Sequence, residues 1–324
     1  MPFVWHPSGC GIWIERSDGL GFDGLKIALV ILHADPARGG AERYTLDLAR
    51  GLRARGHSVS ILASSFAKGD RTGDDVQLDA RGKTRAGRYA RFLDSLDRHL
   101  ASTTYDIVHA MLPVRRCDVY HPHAGIAAEK IATGHLKHAS RAARAIARAA
   151  IRFNRRRQKF AQIERALLKG AHPPVVLCLS EYVRGFVRKF YALPSDRLAK
   201  LFNAVDLDRF DPRARPQAGQ ELRQRLGIAP DRVVGLMIAQ DFLRKGLRQA
   251  ILALAGANDP RLTLLVVGKQ EPKAYRLLAE GSGTGERCGA CSIRKTEAPC
   301  PTRACTCAPR FRTSIISKSS CASM

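Results

Sequence analysis

Residues 26–55, KIALVILHADPARGGAERYTLDLARGLRAR, decide the fold that the rest of the chain is expected to adopt. Residues 26–33 form a compact run of branched apolar side chains, which is typical of a buried parallel strand. A turn containing Gly39 and Gly40 follows, and apolar residues then recur at helical spacing through residues 41–55. The stretch therefore predicts a strand, a glycine turn and the N-terminus of a helix.

A glycine turn at a helix N-terminus lets a ligand approach the backbone closely. The first helical turn offers unpaired N–H groups and a partial positive charge, and a glycine has no side chain to hold a phosphate or sugar away. The turn lacks the G-x-G-x-x-G of dinucleotide-binding loops, and the next strand, residues 57–63, ends in Ser64 and Ser65 instead of an acid. A purely structural role for Gly39-Gly40 as a tight turn stays open from the pattern alone.

The segment GGAERYTLDLARGLRARGHSVSIL, residues 39–62, resembles the opening of family 4 glycosyltransferases of the GT-B fold, in particular the WaaG-type lipopolysaccharide core glucosyltransferases. The resemblance covers residues 25–280. It implies an α/β fold of two Rossmann-like domains, the second of them incomplete in this sequence. It also implies that Gly39 and Gly40 line the cleft where the donor and acceptor sugars meet.

The chain divides into four expected segments. Residues 1–24 lack a basic start followed by an apolar core, so they are interpreted as an N-terminal extension and not as a secretory signal. Residues 25–203 are expected to form the acceptor-side domain, which ends near Asn203-Ala204-Val205-Asp206, a segment that resembles the family's N-G-V-D with alanine in place of the glycine. Residues 204–280 then form a partial nucleotide-sugar-binding domain, and residues 281–324 form a Cys-rich tail of low order.

The composition limits the kinds of partner that the chain can meet. With 324 residues it is long enough for two ordinary domains, and its formal net charge of +25 predicts an anionic partner or surface. No run of 18 apolar residues occurs, so no membrane-spanning helix is predicted. The resemblance implies a cytoplasmic protein that is peripheral to the inner membrane.

A third buried strand is predicted at residues 105–110, and the block after it resembles the acceptor-side loop of the WaaG-type enzymes. From that resemblance Asp118 is expected to be the cleft carboxylate that positions the acceptor hydroxyl, although a turn or cap role is equally compatible with the sequence. His109, His121 and His123 lie close together in this block. No further ligands at metal-binding spacing accompany them, so a satisfied polar role or contacts to the acceptor, as expected for His109, are favoured over metal binding.

Residues 124–169 have a helical pattern with a break expected at Gly134, and this region carries an excess of basic residues. No Asp or Glu occurs between Lys130 and Ile163. Basic side chains step by three or four residues and so are expected to share one helix face. We interpret this face as a contact with the anionic inner-membrane surface; a solvated face and a nucleic-acid surface are the alternatives. The residues expected to face the membrane are Arg141, Arg144, Arg148, Arg152 and Arg155.

The second domain is predicted to begin with a buried strand at residues 232–239. The loop after it contains Phe242-Leu243-Arg244-Lys245-Gly246, which resembles the family's F-x-R-K-G. By resemblance, Arg244 and Lys245 are expected to bind the diphosphate of the nucleotide sugar, and Gly268, at the end of the strand at residues 262–269, to leave room for the nucleotide base. The resemblance also implies no metal and no cofactor, so cations and a helix N-terminus must offset the leaving-group charge. The nucleotide sugar, expected to be UDP-linked, is a co-substrate.

The composition changes abruptly after residue 280. Residues 281–324 contain no Leu or Val, so they are not expected to complete a sheet. We interpret this as loss of the family's reading frame, and with it loss of the family's paired catalytic glutamates. A zinc module is the alternative, because Cys288 and Cys291 have ligand spacing and Cys300, Cys305 and Cys307 follow them.

The resemblance implies that the chain is a hexosyltransferase. The expected reaction moves a hexose, with retention of configuration, from a nucleotide sugar to a lipid-linked glycan of the lipopolysaccharide core type, and loss of the C-terminal segment is expected to impair it. A noncatalytic basic module that binds anionic membrane or nucleic acid is the alternative, although no nucleic acid is expected as a partner.

Overall fold

The computed structural model describes residues 24–69, 71–138, 140–205, 207–208, 210–214, 216–268, 270, 273–284, 288–292 and 312–313. The contacts divide the chain into two units, Met1–Ala204 and Val205–Met324. The division lies one residue after the boundary expected from the sequence. The expected extension at residues 1–24 lies almost entirely outside the described residues.

The first unit is built on a parallel sheet of seven strands in the order β3-β2-β1-β4-β5-β6-β7. The central strand β1 pairs with β2 on one side, where Ile27 lies opposite Val59, and with β4 on the other, where Ile27 lies opposite Ile107. This reversal of strand order on the two sides of β1 is that of a doubly wound fold. The strands are β1 Lys26–Val30, β2 Ser58–Ala63, β3 Val76–Gln77, β4 Ile107–Ala110, β5 Val119–Tyr120, β6 Val175–Cys178 and β7 Leu198–Lys200.

Helices cover both faces of this sheet. On β1, Ala28 and Val30 pack in the cluster that contains Phe92 of one helix, whereas Ile27 and Leu29 pack in the cluster that contains Ala49 of another. Successive residues of a strand point to opposite faces, so a strand covered on both sides must be apolar throughout, as residues 26–33 are. The helices of this unit are α1 Gly40–Arg53, α2 Arg85–Ser102, α3 Ala127–Thr133, α4 Arg141–Phe153, α5 Arg155–Leu168 and α6 Glu181–Tyr191.

The basic region contains three helices, where the sequence predicted a single break at Gly134. A further break occurs at Asn154, whose side chain accepts a hydrogen bond from Arg157 N at 3.0 Å and so begins α5. Ser140 begins α4 in the same way by accepting from Ala143 N. Arg155 therefore belongs to α5, and the expected basic stripe does not continue along one helix. Side chains that compete for backbone N–H groups start helices, and this overrode the periodic pattern.

The second unit has a four-stranded sheet in the order β11-β10-β9-β8. Strands β8 and β9 are parallel, with Leu236 opposite Leu265, and Leu264 and Val266 pack against Ile251 in one core cluster. The elements are α7 Ala218–Arg225, β8 Val233–Ile238, α8 Phe242–Lys245, α9 Leu247–Ala257, β9 Leu262–Gly268, α10 Lys273–Gly281, β10 Cys288–Ser292 and β11 Arg312–Thr313.

Strands β10 and β11 are an outcome that the composition did not predict. Cys288–Ser292 continues the sheet in parallel beside β9, and Arg312–Thr313 pairs with it in antiparallel orientation. A segment that pairs with the open edge of an existing strand gains its backbone hydrogen bonds whatever its side chains, so a segment poor in apolar residues can add to a sheet. Three cysteines of the alternative zinc module, Cys300, Cys305 and Cys307, lie outside the described residues.

Across the part of the chain that the structure describes, no helix combines the length and the apolar character needed to cross a bilayer.

Candidate functional site

The glycine turn follows β1 and opens α1. Gly39 is the N-cap residue with an extended backbone, φ 177°, so its conformation does not require glycine. A Cβ added to Gly40 would meet no atom within 4 Å, and one added to Gly39 would meet only the flexible Glu42 side chain. Within the described chain no side chain caps this helix. Since neither conformation nor packing explains the glycines, the arrangement fits a helix N-terminus that is left bare for a ligand.

A cluster of four rings lies next to this turn. Tyr44, one helical turn after Gly40, contacts His123 with ring centroids 4.4 Å apart. His123 contacts His121 at 4.2 Å, and His121 stacks on His109 at 5.5 Å. Ring contacts thus connect His109, through His121 and His123, to Tyr44 on the first part of α1. We call Tyr44, His109, His121 and His123 the histidine cluster.

Burial keeps the three imidazoles neutral. It lowers the pKa of His109 to about 4, that of His121 to about 3 and that of His123 to about 4, and neighbouring histidine charge lowers the first two further. Four of their ring nitrogens are buried and have no hydrogen-bond partner among the described residues. A neutral imidazole offers one donor and one acceptor, which is the pairing that a sugar hydroxyl requires. In the described residues no group of three or more His, Cys, Asp or Glu side chains has metal-binding geometry.

Asp118 is not brought to this cluster. Its Oδ2 accepts a hydrogen bond from Val108 N at 2.7 Å, and its backbone N–H donates to Val108 O at 2.9 Å. These contacts fix Asp118 before the start of β5, beside the first half of β4, whereas the glycine turn and His121 follow the carboxyl ends of their strands. The expected role as the acceptor-positioning carboxylate is therefore wrong for this geometry, and the turn or cap role applies.

A buried carboxylate, that of Glu164, stabilises the segment that carries His121 and His123, and it was not identified from the sequence. Glu164 on α5 is fully buried and accepts hydrogen bonds from Tyr120 Oη at 2.8 Å and Tyr191 Oη at 2.5 Å. It also accepts from the backbone N–H groups of Ala127 and Ala128, which begin α3. Glu164 thus ties α5 to the segment that carries His121 and His123. The partners lie 27 to 44 residues away in sequence, so no local pattern could reveal it.

The second unit places its expected donor residues after adjacent strands. Arg244 and Lys245 end the short helix α8, which follows β8 and is capped by Asp241, whose Oδ1 accepts from Arg244 N at 3.0 Å. Both side chains are exposed. Gly268 ends the neighbouring strand β9. These three residues are therefore at the carboxyl ends of two parallel strands, where open α/β sheets bind ligands.

Gly268 has a packing role. A Cβ added there would come within 2.3 Å of Ala239 O and 2.6 Å of the Phe242 ring. The space that a side chain would take is thus filled by the protein, and the glycine allows the end of β9 to pack against Phe242. The role of Gly268 beside a nucleotide base stays a prediction.

The helix α4 exposes two strips on different sides. Arg144, Arg148 and Arg152 lie on one, and Ile146 and Phe153, which are 72% and 80% exposed, lie on the other. The only fully buried residue of α4 is Ile151, within the described chain. A helix with one exposed apolar side and one basic side is typical of the interfacial region of a membrane.

The first unit has the doubly wound architecture of proteins that bind nucleotides and sugars at the carboxyl ends of their strands. Residues 38–209 match the profile of Glycosyltransferase Family 4. This match spans more than half of the chain, and the chain belongs to that family.

One curated member of the family is similar to this chain over most of its length. The chain is 27% identical over 252 residues to the lipopolysaccharide glucosyltransferase WaaG of Escherichia coli K12, a match that covers 76% of this chain and 63% of the relative. The chain therefore spans somewhat less than two thirds of this curated relative.

The solved structures agree on the fold. The crystal structure of WaaG, a glycosyltransferase involved in lipopolysaccharide biosynthesis, superposes with a TM-score of 0.65 at 25% identity, covering 83% of this chain and 70% of that one. The crystal structure of Anabaena Alr3699/HepE in complex with UDP and glucose superposes with a TM-score of 0.55 at 17% identity, covering 84% of this chain and 70% of that one. This second likeness concerns the fold alone. The predicted family and the α/β fold class are confirmed.

Proposed function

We propose that this chain is a hexosyltransferase that moves a sugar from a UDP-linked donor to a lipid-linked glycan of the lipopolysaccharide core type, with retention of configuration. The observation that carries this proposal is the bare N-terminus of α1 at Gly39-Gly40 beside the buried neutral histidine cluster, in a chain of family 4. The name of the relative WaaG, a lipopolysaccharide glucosyltransferase, and the UDP and glucose bound to HepE support the substrate classes.

In this proposal the two units have separate tasks. His109 and the N–H groups at Gly39 and Gly40 contact sugar hydroxyls in the first unit. Arg244 and Lys245, at the carboxyl end of β8, offset the charge of the nucleoside diphosphate that the transfer releases. Charge-assisted hydrogen bonds to a diphosphate are about twice as strong as neutral ones, so two such cations can take the part that a metal plays elsewhere.

We also propose that the 324-residue chain turns over weakly. The family's two glutamates, separated by seven residues, have no matching context here, since only Glu286 and Glu297 follow Glu280. Binding of the donor and acceptor does not depend on that pair alone. Binding is therefore the property on which the proposed function is best tested.

The exposed strips of α4 support a further part of the proposal, attachment of a cytoplasmic protein to the inner surface of the membrane. Each basic side chain close to anionic lipid contributes about 1 kcal/mol, and the apolar strip adds burial energy. A lipid-linked acceptor would then be encountered at the surface to which the protein is bound.

Calorimetry with UDP-glucose and with a lipid A–core acceptor tests the proposal. Arg244→Gln with Lys245→Gln should weaken UDP-glucose binding at least tenfold, whereas Arg248→Gln, an exposed residue of the next helix α9, should not. Gly40→Val should weaken acceptor binding, with Gly185→Val as the control, because both are helical glycines whose added Cβ meets no atom within 4 Å. A chain that binds neither UDP-glucose nor the acceptor would contradict the function. Acceptor-dependent UDP release at an ordinary enzymatic rate would contradict only the weak-turnover part.

A further inference from the structure

A cavity of about 920 Å³ lies beside the glycine turn in the first unit. Its floor is formed by the residues that follow β1 and β2, where His33 Nδ1 lies 2.8 Å from Ser65 Oγ. The volume is within the range of cavities that bind small organic ligands, and it opens at the carboxyl ends of parallel strands. Arg38, directly before Gly39, lines it.

The lining of this cavity is strongly cationic. Five arginines contribute to it and only one carboxylate, that of Asp79. Asp79 is already paired with Arg81, whose Nε lies 3.0 Å from Asp79 Oδ1. The arginines come from the β1–α1 turn, the loop before α2, α2 itself and α5: Arg38, Arg81, Arg85, Arg88 and Arg156.

The arginines are close enough to repel one another. Burial lowers the pKa of Arg156, and the positive charge of Arg85 and Arg88 lowers it further. Burial likewise lowers the pKa of His33, and Arg38 and Arg156 add to the effect. Among the described residues, no carboxylate forms an ion pair with Arg85 or Arg88. Like charges held together in a concave site cost free energy unless an anion joins them.

We propose that this cavity binds two or more phosphate or carboxylate groups of one sugar ligand, and that the acceptor glycan is therefore polyanionic close to its reacting hydroxyl. The inference rests on the proposed function for the identity of the ligand as the acceptor. Arginine forks pair bidentately with phosphate and carboxylate oxygens, and five of them from four chain segments can surround a branched anionic sugar.

The shape and lining favour a sugar phosphate over other anions. A bilayer surface contacts convex or flat patches such as the exposed strips of α4, whereas these arginines converge on a concavity. Single-stranded nucleic acid needs exposed aromatic rings for base stacking. Of the two rings that line the cavity among the described residues, that of Tyr89 is 1% exposed and that of His33 is hydrogen-bonded to Ser65. The donor diphosphate is already assigned to cations of the second unit.

The test uses the full chain and fructose 1,6-bisphosphate as a defined bisphosphate probe, with fructose as the neutral probe. By calorimetry the bisphosphate should bind at least a hundredfold more tightly than fructose. The double variant Arg85→Gln with Arg88→Gln should bind fructose 1,6-bisphosphate more weakly, by about tenfold for each arginine replaced, because each substitution removes a charge-assisted hydrogen bond. Arg98→Gln, ten residues further along α2 and outside the cavity, is the matched control and should bind as the unchanged chain does.

Three results would overturn the proposal: equal binding of the two probes, equal binding by the double variant, or loss of binding to sugar-free anionic vesicles in the double variant. The last would assign these arginines to the lipid surface. This test and the test of the proposed function can fail independently of each other. A chain that binds the bisphosphate through Arg85 and Arg88 but binds no UDP-glucose or lipid A–core keeps the anion site and loses the transferase assignment. If the double variant binds the lipid A–core acceptor as tightly as the unchanged chain does, the transferase assignment stands and the cavity is not the acceptor site.

Discussion

Gly268 shows how one residue can be constrained by packing where a ligand role was expected. Gly268→Ala should lower the free energy of unfolding of the second unit by about 2 kcal/mol or more, because the new Cβ would overlap Ala239 O, a backbone atom that cannot rotate away. The loss should be visible as faster hydrogen exchange of the β8 and β9 amides. Gly256→Ala on α9 is the control, since its Cβ meets no atom within 4 Å. It should be neutral or stabilise by about 0.5–1 kcal/mol. Equal effects of the two substitutions would contradict the packing role.

The buried histidines predict a pH dependence of stability. Their folded-state pKa values, about 3 to 4, lie below the usual 6.5, so the unfolded chain binds protons that the folded chain does not as the pH falls from about 6.5 to 4. The free energy of unfolding should decrease across this window by roughly 1 kcal/mol per pH unit for each histidine, and be fully restored above it. Carboxylates contribute a slope of the same sign, so a variant is needed to isolate the histidines.

His121→Phe provides that variant. It removes a fully buried imidazole whose two ring nitrogens have no partner among the described residues, and it keeps an aromatic ring against Tyr44. Chemical denaturation at several pH values should give a shallower slope than in the unchanged chain. The exposed His172→Gln should leave the slope unaltered. An equally steep slope in His121→Phe would show that the cluster does not titrate on unfolding.

At the scale of elements, α4 is predicted to bind membranes through both of its exposed strips. Ile146→Gln with Phe153→Gln should lower binding to anionic vesicles at least tenfold, because each side chain contributes about 1.5–3 kcal/mol when it is transferred from water into the interface. Both are highly exposed, so stability should be unaffected. Tyr182→Gln on α6, an exposed aromatic residue in the same unit, is the control. If the double variant co-sediments with anionic vesicles as the unchanged chain does, the exposed side chains of α4 face solvent and do not bind membrane.

The strands and helices also show which features of the structure could be predicted from the sequence. Continuous apolar runs indicated β1, β2, β4, β8 and β9, because strands covered on both faces leave a local signal. The two-residue strands β3 and β5 left none. The break at Asn154 was missed because a side-chain cap competes with an otherwise regular helical pattern. The Glu164 network and the arginine cavity were also missed, since both join segments that only the sheet brings together.

At the scale of the whole molecule, two opposing forces act on self-association. A formal charge of +25 makes copies of the chain repel one another. In the second unit, Leu236 and Ile238 are 59% and 71% exposed on one face of β8, which is a margin of the described sheet. Parallel sheets are normally covered on both faces, and an apolar strand at a margin is a site for pairing with another chain.

Because salt screens charge over about 8 Å at physiological ionic strength but leaves apolar attraction intact, self-association should increase with salt. Membrane binding through α4 should decrease with salt, so the two properties are separable in one titration. Leu236→Lys with Ile238→Lys should remove the concentration-dependent rise in mass measured by sedimentation equilibrium. Leu277→Lys on α10, where a single leucine is 61% exposed, should not, since isolated exposed apolar residues are ordinary. A chain that stays monomeric at high salt without any substitution would show that the open face of β8 does not drive association.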